Sequence, residues 1–107
     1  VRISFNANLT PTTTTESDKL VSLYPVLKAM ADENRLHILG LLANEEYSVG
    51  DLADLLALSA STVSRHLALL AKTDLVTVRP QGTLRYYRLN PGGLGDLIGR
   101  LQAALEQ

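Results

Sequence analysis

The chain has 107 residues, 46% of them apolar, and a net charge of −1, which suits one globular domain with a modest core that a partner subunit would help to cover. It contains no cysteine, excluding disulfides, thiolate metal ligands and a thiol redox switch. No apolar run is long enough to cross a membrane and no basic-then-apolar leader opens the sequence, so cytoplasmic residence is expected.

Residues 1–16, "VRISFNANLTPTTTTE", show no lasting periodicity and are expected to form a flexible tail ahead of one domain over 17–107. From Ser17 the pattern becomes helical, with Leu20, Leu23, Leu27 and Met30 on one stripe. Pro25 removes a backbone donor, so this helix should kink or restart near Tyr24. Asp32 reads as the N-cap of a second helix through Asn44, burying Leu36, Ile38, Leu39 and Leu42. Ser48 followed by Asp51 makes a capping-box start for a third helix, "VGDLADLLA", on which Asp51 and Asp54 are exposed. After the short turn "LSAS" a fourth helix runs over 59–73. The period then changes: "LVTVRP" and "LRYYRLN" are β-branched and aromatic, and "QGT" between them predicts a hairpin with a glycine at its tip. Tyr86 and Tyr87 should alternate across it. "NPGG" breaks the chain before a last amphipathic helix carrying Leu94, Leu97, Ile98, Leu101 and Leu105. The expected architecture is mainly α with a β-hairpin wing, in the order α-α-α-α-β-β-α.

The fourth helix carries the functional signal. On a helical wheel centred on Val63, Ala60, Leu67, Leu70 and Ala71 share the side expected to face the core. Ser61, Arg65, Ala68 and Lys72 fall opposite, with Thr62 and Ser64 on the flanks. That outward face is small, hydroxylic and positive, with no acid on it. Ser and Thr are mediocre helix formers, so solubility alone does not explain them. Short hydroxyls permit close approach to a major groove, where they bond phosphates or base edges, and Arg65 can take guanine with both ends of its guanidinium. The third and fourth helices then form a helix-turn-helix on double-stranded DNA. The hairpin becomes a wing presenting Arg79, Gln81, Thr83 and Arg85 to phosphates or a minor groove. Charge distribution agrees. Residues 61–90 hold Arg65, Lys72, Arg79, Arg85 and Arg88 against Asp74 alone, whereas residues 1–60 hold four cations against eight acids.

The segments "KAMADENRLHILGLL", "YSVGDLADLLALSASTVSRHLALLAKTDLV" and "GTLRYYRL" resemble the ArsR/SmtB family of bacterial winged-helix repressors, over about Leu20 to Leu89. The resemblance implies a homodimer paired through the first and last helices, a palindromic operator, and release by an inducer. It does not supply the inducer. Where many members carry a pair of metal-binding cysteines at the start of the third helix, this chain has Ser48 and Gly50, and Ser48 is already explained as an N-cap. Where others place aspartate, histidines and glutamate along the last helix, "GGLGDLIGRLQAALEQ" offers Asp96 and Glu106 without histidine. His37 and His66 read as packing residues and Met30 as core filler. No metal site and no cofactor are therefore expected, and the inducer is unknown. Room for a signal is expected between the first and last helices, where "GGLGDLIG" lacks side chains. No nucleophile–base pair can be assembled locally, so an enzyme is not expected. A second reading makes the winged helix a regulatory or docking module of a longer polypeptide, in which case the gene runs well past Gln107.

Overall fold

The computed structural model describes residues 16–106, so the tail expected over 1–16 lies, apart from Glu16, outside the described residues. Helix α1 (Glu16–Val21) stops at a turn over Ser22 and Leu23, and α2 (Tyr24–Met30) restarts with Pro25 in its first turn, where a missing N–H costs nothing. Leu23, at this break, is fully buried. Helix α3 (Glu33–Asn44) is capped by Asp32, whose carboxylate accepts from the Arg35 backbone N–H at 3.0 Å. Of the four residues expected to be buried on it, Ile38, Leu39 and Leu42 are, whereas Leu36 is half exposed. The core contacts only one arc of α3, and Leu36 lies at its margin.

The two-residue strand β1 (Tyr47–Ser48) is too short for any sequence period to reveal. It leads directly into α4 (Val49–Leu56), which starts with the expected reciprocal box: Ser48 Oγ accepts from the Asp51 N–H, and the Ser48 N–H donates to Asp51 Oδ2, both at 3.1 Å. Ala57 ends the helix in the left-handed region, at φ 57°. After a three-residue turn, α5 (Ala60–Lys72) is capped by Ser59, whose Oγ accepts from the Thr62 N–H at 3.1 Å. Strands β2 (Val76–Gln81) and β3 (Leu84–Leu89) pair antiparallel, and β3 is central in the order β1-β3-β2. Pro80 is therefore on an edge strand, where a missing donor is tolerated. Gln81 pairs with Leu84, so the connection is shorter than "QGT", with Gly82 at φ +62° as the first of two loop residues. Helix α6 (Pro91–Leu105) closes the chain.

One apolar cluster joins Ala29, Ile38, Leu39, Leu42, Leu52, Val63, Leu67, Leu70, Leu75 and Val76, with Met30 packed at its edge as expected. Leu23, Leu97 and Ala104 are buried outside it, where α1 packs against α6. The result is a winged helix-turn-helix: α4 and α5 are the motif, β2–β3 the wing, and α1 and α6 a separate buttress.

Candidate nucleic-acid interface

The buried stripe of α5 is narrower than its wheel suggested. Val63, Leu67 and Leu70 are fully buried, but Ala60 and Ala71 are exposed. At about 100° per residue those two alanines stand roughly 60° and 80° from Val63, beyond the arc the core reaches. On the opposite side Ser61, Ser64, Arg65, Ala68 and Lys72 are all exposed, and Thr62 is half-buried.

The hydroxyls at the N-terminus of α5 are linked. Ser59 Oγ donates to Thr62 Oγ1 at 2.9 Å and lies 3.3 Å from Ser61 Oγ, while Arg65 Nη2 reaches Thr62 Oγ1 at 3.5 Å. Thr62 thus serves the helix cap and steadies Arg65. Most of the Arg65 fork remains open for a ligand. The positive end of the helix dipole adds to the attraction for phosphate at this end.

On the wing, Arg79, Gln81, Thr83 and Arg85 are all exposed, as a contact surface requires. They are not equivalent. Arg79 donates twice to the Glu46 carboxylate, at 3.1 and 2.9 Å, and once to Gln81 Oε1 at 2.7 Å. Its guanidinium also lies 5.1 Å from the centre of the Tyr86 ring. The Arg79 hydrogen bond holds the Glu46 carboxyl below its ordinary range, and the same contact raises Arg79. Arg79 and Gln81 therefore tie the wing to the chain just before β1. By contrast, no hydrogen bond or ion pair engages Thr83 or Arg85 among the described residues, and these two are free at the tip. Sequence spacing gave no hint of Glu46, which is 33 positions from its partner.

A second unforeseen contact positions α5 itself. The Arg35 guanidinium donates to the Ala29 carbonyl and, at 3.1 Å, to His66 Nδ1. Because guanidinium only donates, Nδ1 accepts and the ring proton is on Nε2. His66 is thus half-buried packing with a polar latch, whereas His37 is exposed beside Leu36 and Leu55. Among the described residues no group of three or more His, Asp or Glu side chains has the geometry to hold a metal ion.

The last helix is joined to the end of α5 through Asp74, which has φ 63°. The Asn90 side-chain amide donates to the Asp74 carbonyl at 2.9 Å, and a Cβ on Gly93 would overlap that same carbonyl. A cleft of about 290 Å³ does open between α2 and α6, bordered by Val26, Asp96, Leu97 and Arg100. The space freed by Gly93 is nonetheless filled by backbone; open space lies instead beside Gly95 and Gly99. No helix among the described residues is long and apolar enough to cross a membrane.

Residues 32–78 match the model of the arsR family of bacterial regulatory proteins. The chain is 46% identical over 65 residues to the transcriptional activator HlyU of Vibrio cholerae, a match covering 61% of this chain and 60% of that protein's length. It is 38% identical over 79 residues to an arsenical resistance operon repressor of Staphylococcus aureus, covering 74% of this chain and 76% of the repressor. Its structure superposes on a homodimeric winged helix-turn-helix DNA-binding domain from Mycobacterium bovis with a TM-score of 0.69 and 30% identity, over 89% of this chain and 88% of that one.

Proposed function

The chain belongs to the arsR family of bacterial regulatory proteins, and from that premise we propose that it is a homodimeric transcriptional repressor that inserts α5 into the major groove of a palindromic operator. The observation that carries this reading is the outward face of α5, where Ser61, Ser64 and Arg65 are exposed, no acid intervenes, and Thr62 steadies the arginine. Arg65 and the hydroxyls read base edges and phosphates, while Thr83 and Arg85 at the wing tip meet the backbone beside them. The domain over 17–107 acts without catalysis, in the cytoplasm.

Dimerisation through the expected first helix, which the structure divides into α1 and α2, and the last helix, α6, has support in what they leave uncovered. Val21 on α1, Tyr24 and Leu27 on α2, and Ile98 and Leu105 on α6 are large apolar residues left exposed, surface that a partner subunit can cover. Gly95 and Gly99, with nothing beside them, leave α6 open to close approach by another helix. A two-fold pairing there sets two α5 helices about 34 Å apart, one helical turn of DNA.

The test is fluorescence anisotropy with a duplex selected by the protein from a random pool, against its scrambled counterpart, across a range of salt. The expected result is at least about a thousandfold preference for the selected duplex, with affinity falling steeply as salt rises. Equal affinity for both duplexes would reject a sequence-reading role and favour a docking module.

A further inference from the structure

Alongside the C-terminal end of the outward face of α5, a cleft of about 310 Å³ opens between α2, the start of α3 and the C-terminal half of α5. Pro25, Ala29 and Leu69 give it an apolar wall, and Lys28, Arg35 and Lys72 place three cations on it. Among the described residues neither lysine has a carboxylate partner: Lys28 lies 5.6 Å from the centre of the Tyr24 ring, and Lys72 makes no ion pair. Among the described residues the one acid engaging these cations is Asp32, 3.9 Å from Arg35, and its carboxylate also accepts from the Arg35 backbone N–H. An apolar cleft flanked by two lysines without carboxylate partners among the described residues is complementary to an anion with a hydrophobic body.

We infer that this cleft binds a small amphiphilic carboxylate, its head between Lys28 and Lys72 and its apolar body against Pro25, Ala29 and Leu69, and that its occupancy controls DNA binding. A volume near 300 Å³ is at the lower limit of small-molecule sites and accommodates a chain of about eight carbons. Control follows from the walls. Leu69 and Lys72 belong to the groove-reading helix, while Pro25 and Lys28 belong to the helix proposed to pair subunits. Arg35 lines the same cleft and holds His66 of α5 in its present position. A molecule wedged there presses α5 away from α2 and loads the Arg35–His66 latch. Its energy is then spent differently in the two arrangements of α5, the condition for shifting their populations. The regulatory half of this inference rests on the DNA-binding reading; the binding half does not.

The experiment uses octanoate as probe and octanol as its neutral counterpart. Calorimetric titration of the DNA-free protein should give saturable octanoate binding, one per subunit, about tenfold tighter than octanol, with that preference lost in the variant Lys28→Gln, which lies on α2 and not on the DNA-facing side of α5. Lys28 is at an exposed position, so this substitution leaves the core untouched. Octanoate should also weaken selected-duplex binding by the native protein about tenfold and leave the variant unaffected. Equal binding of octanoate and octanol, or no saturable binding at millimolar probe, would overturn the site. Saturable binding with unchanged duplex affinity would overturn the control. If Lys28→Gln instead weakens selected and scrambled duplexes alike without octanoate, Lys28 contacts phosphate and the inference fails. Failure of the native protein to bind any duplex would count against the DNA-binding reading alone, because the DNA-free titration still decides the site.

Discussion

At the scale of single residues, the two classes of arginine on the proposed DNA face predict different mutant behaviour. Arg65 has an open fork on an exposed helix face, so Arg65→Ala leaves no cavity and should not change unfolding. Loss of a bidentate base contact should cost about 1–3 kcal/mol of selected-duplex affinity while scrambled-duplex affinity barely moves. Paired anisotropy titrations read the difference. Arg79 is committed to Glu46 and Gln81, so Arg79→Ala should act by freeing the wing. Glu46→Gln should then weaken duplex binding to a similar degree, and the double variant should be no worse than either single one. Additive losses would mean that Arg79 contacts DNA directly. The Glu46 carboxyl is held below its ordinary 4.5, first by the Arg79 hydrogen bond. A depressed carboxylate stabilises fully above its unfolded value and loses that contribution as pH falls through the folded one. Wing resonances followed by NMR should therefore shift only at a lower pH than an unpaired glutamate would dictate, and in Arg79→Ala the Glu46 resonance should titrate at higher pH than in the native protein.

At the scale of elements, the joint between α5 and α6 is the most demanding position. Gly93→Ala should force the Asp74 carbonyl and the Asn90 amide apart, costing about 1–3 kcal/mol in thermal or denaturant unfolding. Gly95→Ala meets open space and should not destabilise the isolated subunit. The caps of α3 and α4 were legible because each is written within four residues, Asp32 with Arg35 and Ser48 with Asp51, whereas the Ser59–Thr62 cap of α5 falls at a residue the sequence pattern counts as helix. The hairpin was legible through its change of period. What the sequence hid joins distant segments. Strand β1 has two residues and forms only because β3 is there to pair with it, and Glu46–Arg79, Arg35–His66 and Asp74–Asn90 span long separations. Leu36, Ala60 and Ala71 misled for a related reason: periodicity names the apolar side of a helix, but its neighbours decide how wide an arc they cover. On the proposed contact face the named wing residues are all exposed, and the internal commitment of Arg79 was beyond reach of spacing.

At the scale of the molecule, the exposed Ile98 and Leu105 on α6 lead to a test of the proposed dimer. Ile98→Asp combined with Leu105→Asp should yield a folded monomer in sedimentation at tens of micromolar. Its selected-duplex affinity should fall by about a hundredfold or more as the tethered second half-site is lost. A native monomer at that concentration would contradict the pairing. Zinc, nickel and arsenite, added at one equivalent per subunit and then in excess in a non-chelating buffer, should leave duplex binding unchanged, because the chain has no thiolates and its two histidines lie apart, on α3 and α5. A sharp loss at one equivalent would reveal a site formed only in the assembly. The tight seat of Gly93 on Asp74 has a consequence for such an assembly that concerns angle. A dimer of this kind measures the phase of a DNA helix, and the two reading heads stay in step only if the arm holding each keeps its tilt. Over the roughly 22 Å length of α6, a rotation of about 5° at its base displaces the far end by about 2 Å. By leaving no space between a glycine and a carbonyl, the chain sets that angle by hard contact. A few degrees of play there would put the two heads out of register with the groove, without a single DNA-facing side chain having moved.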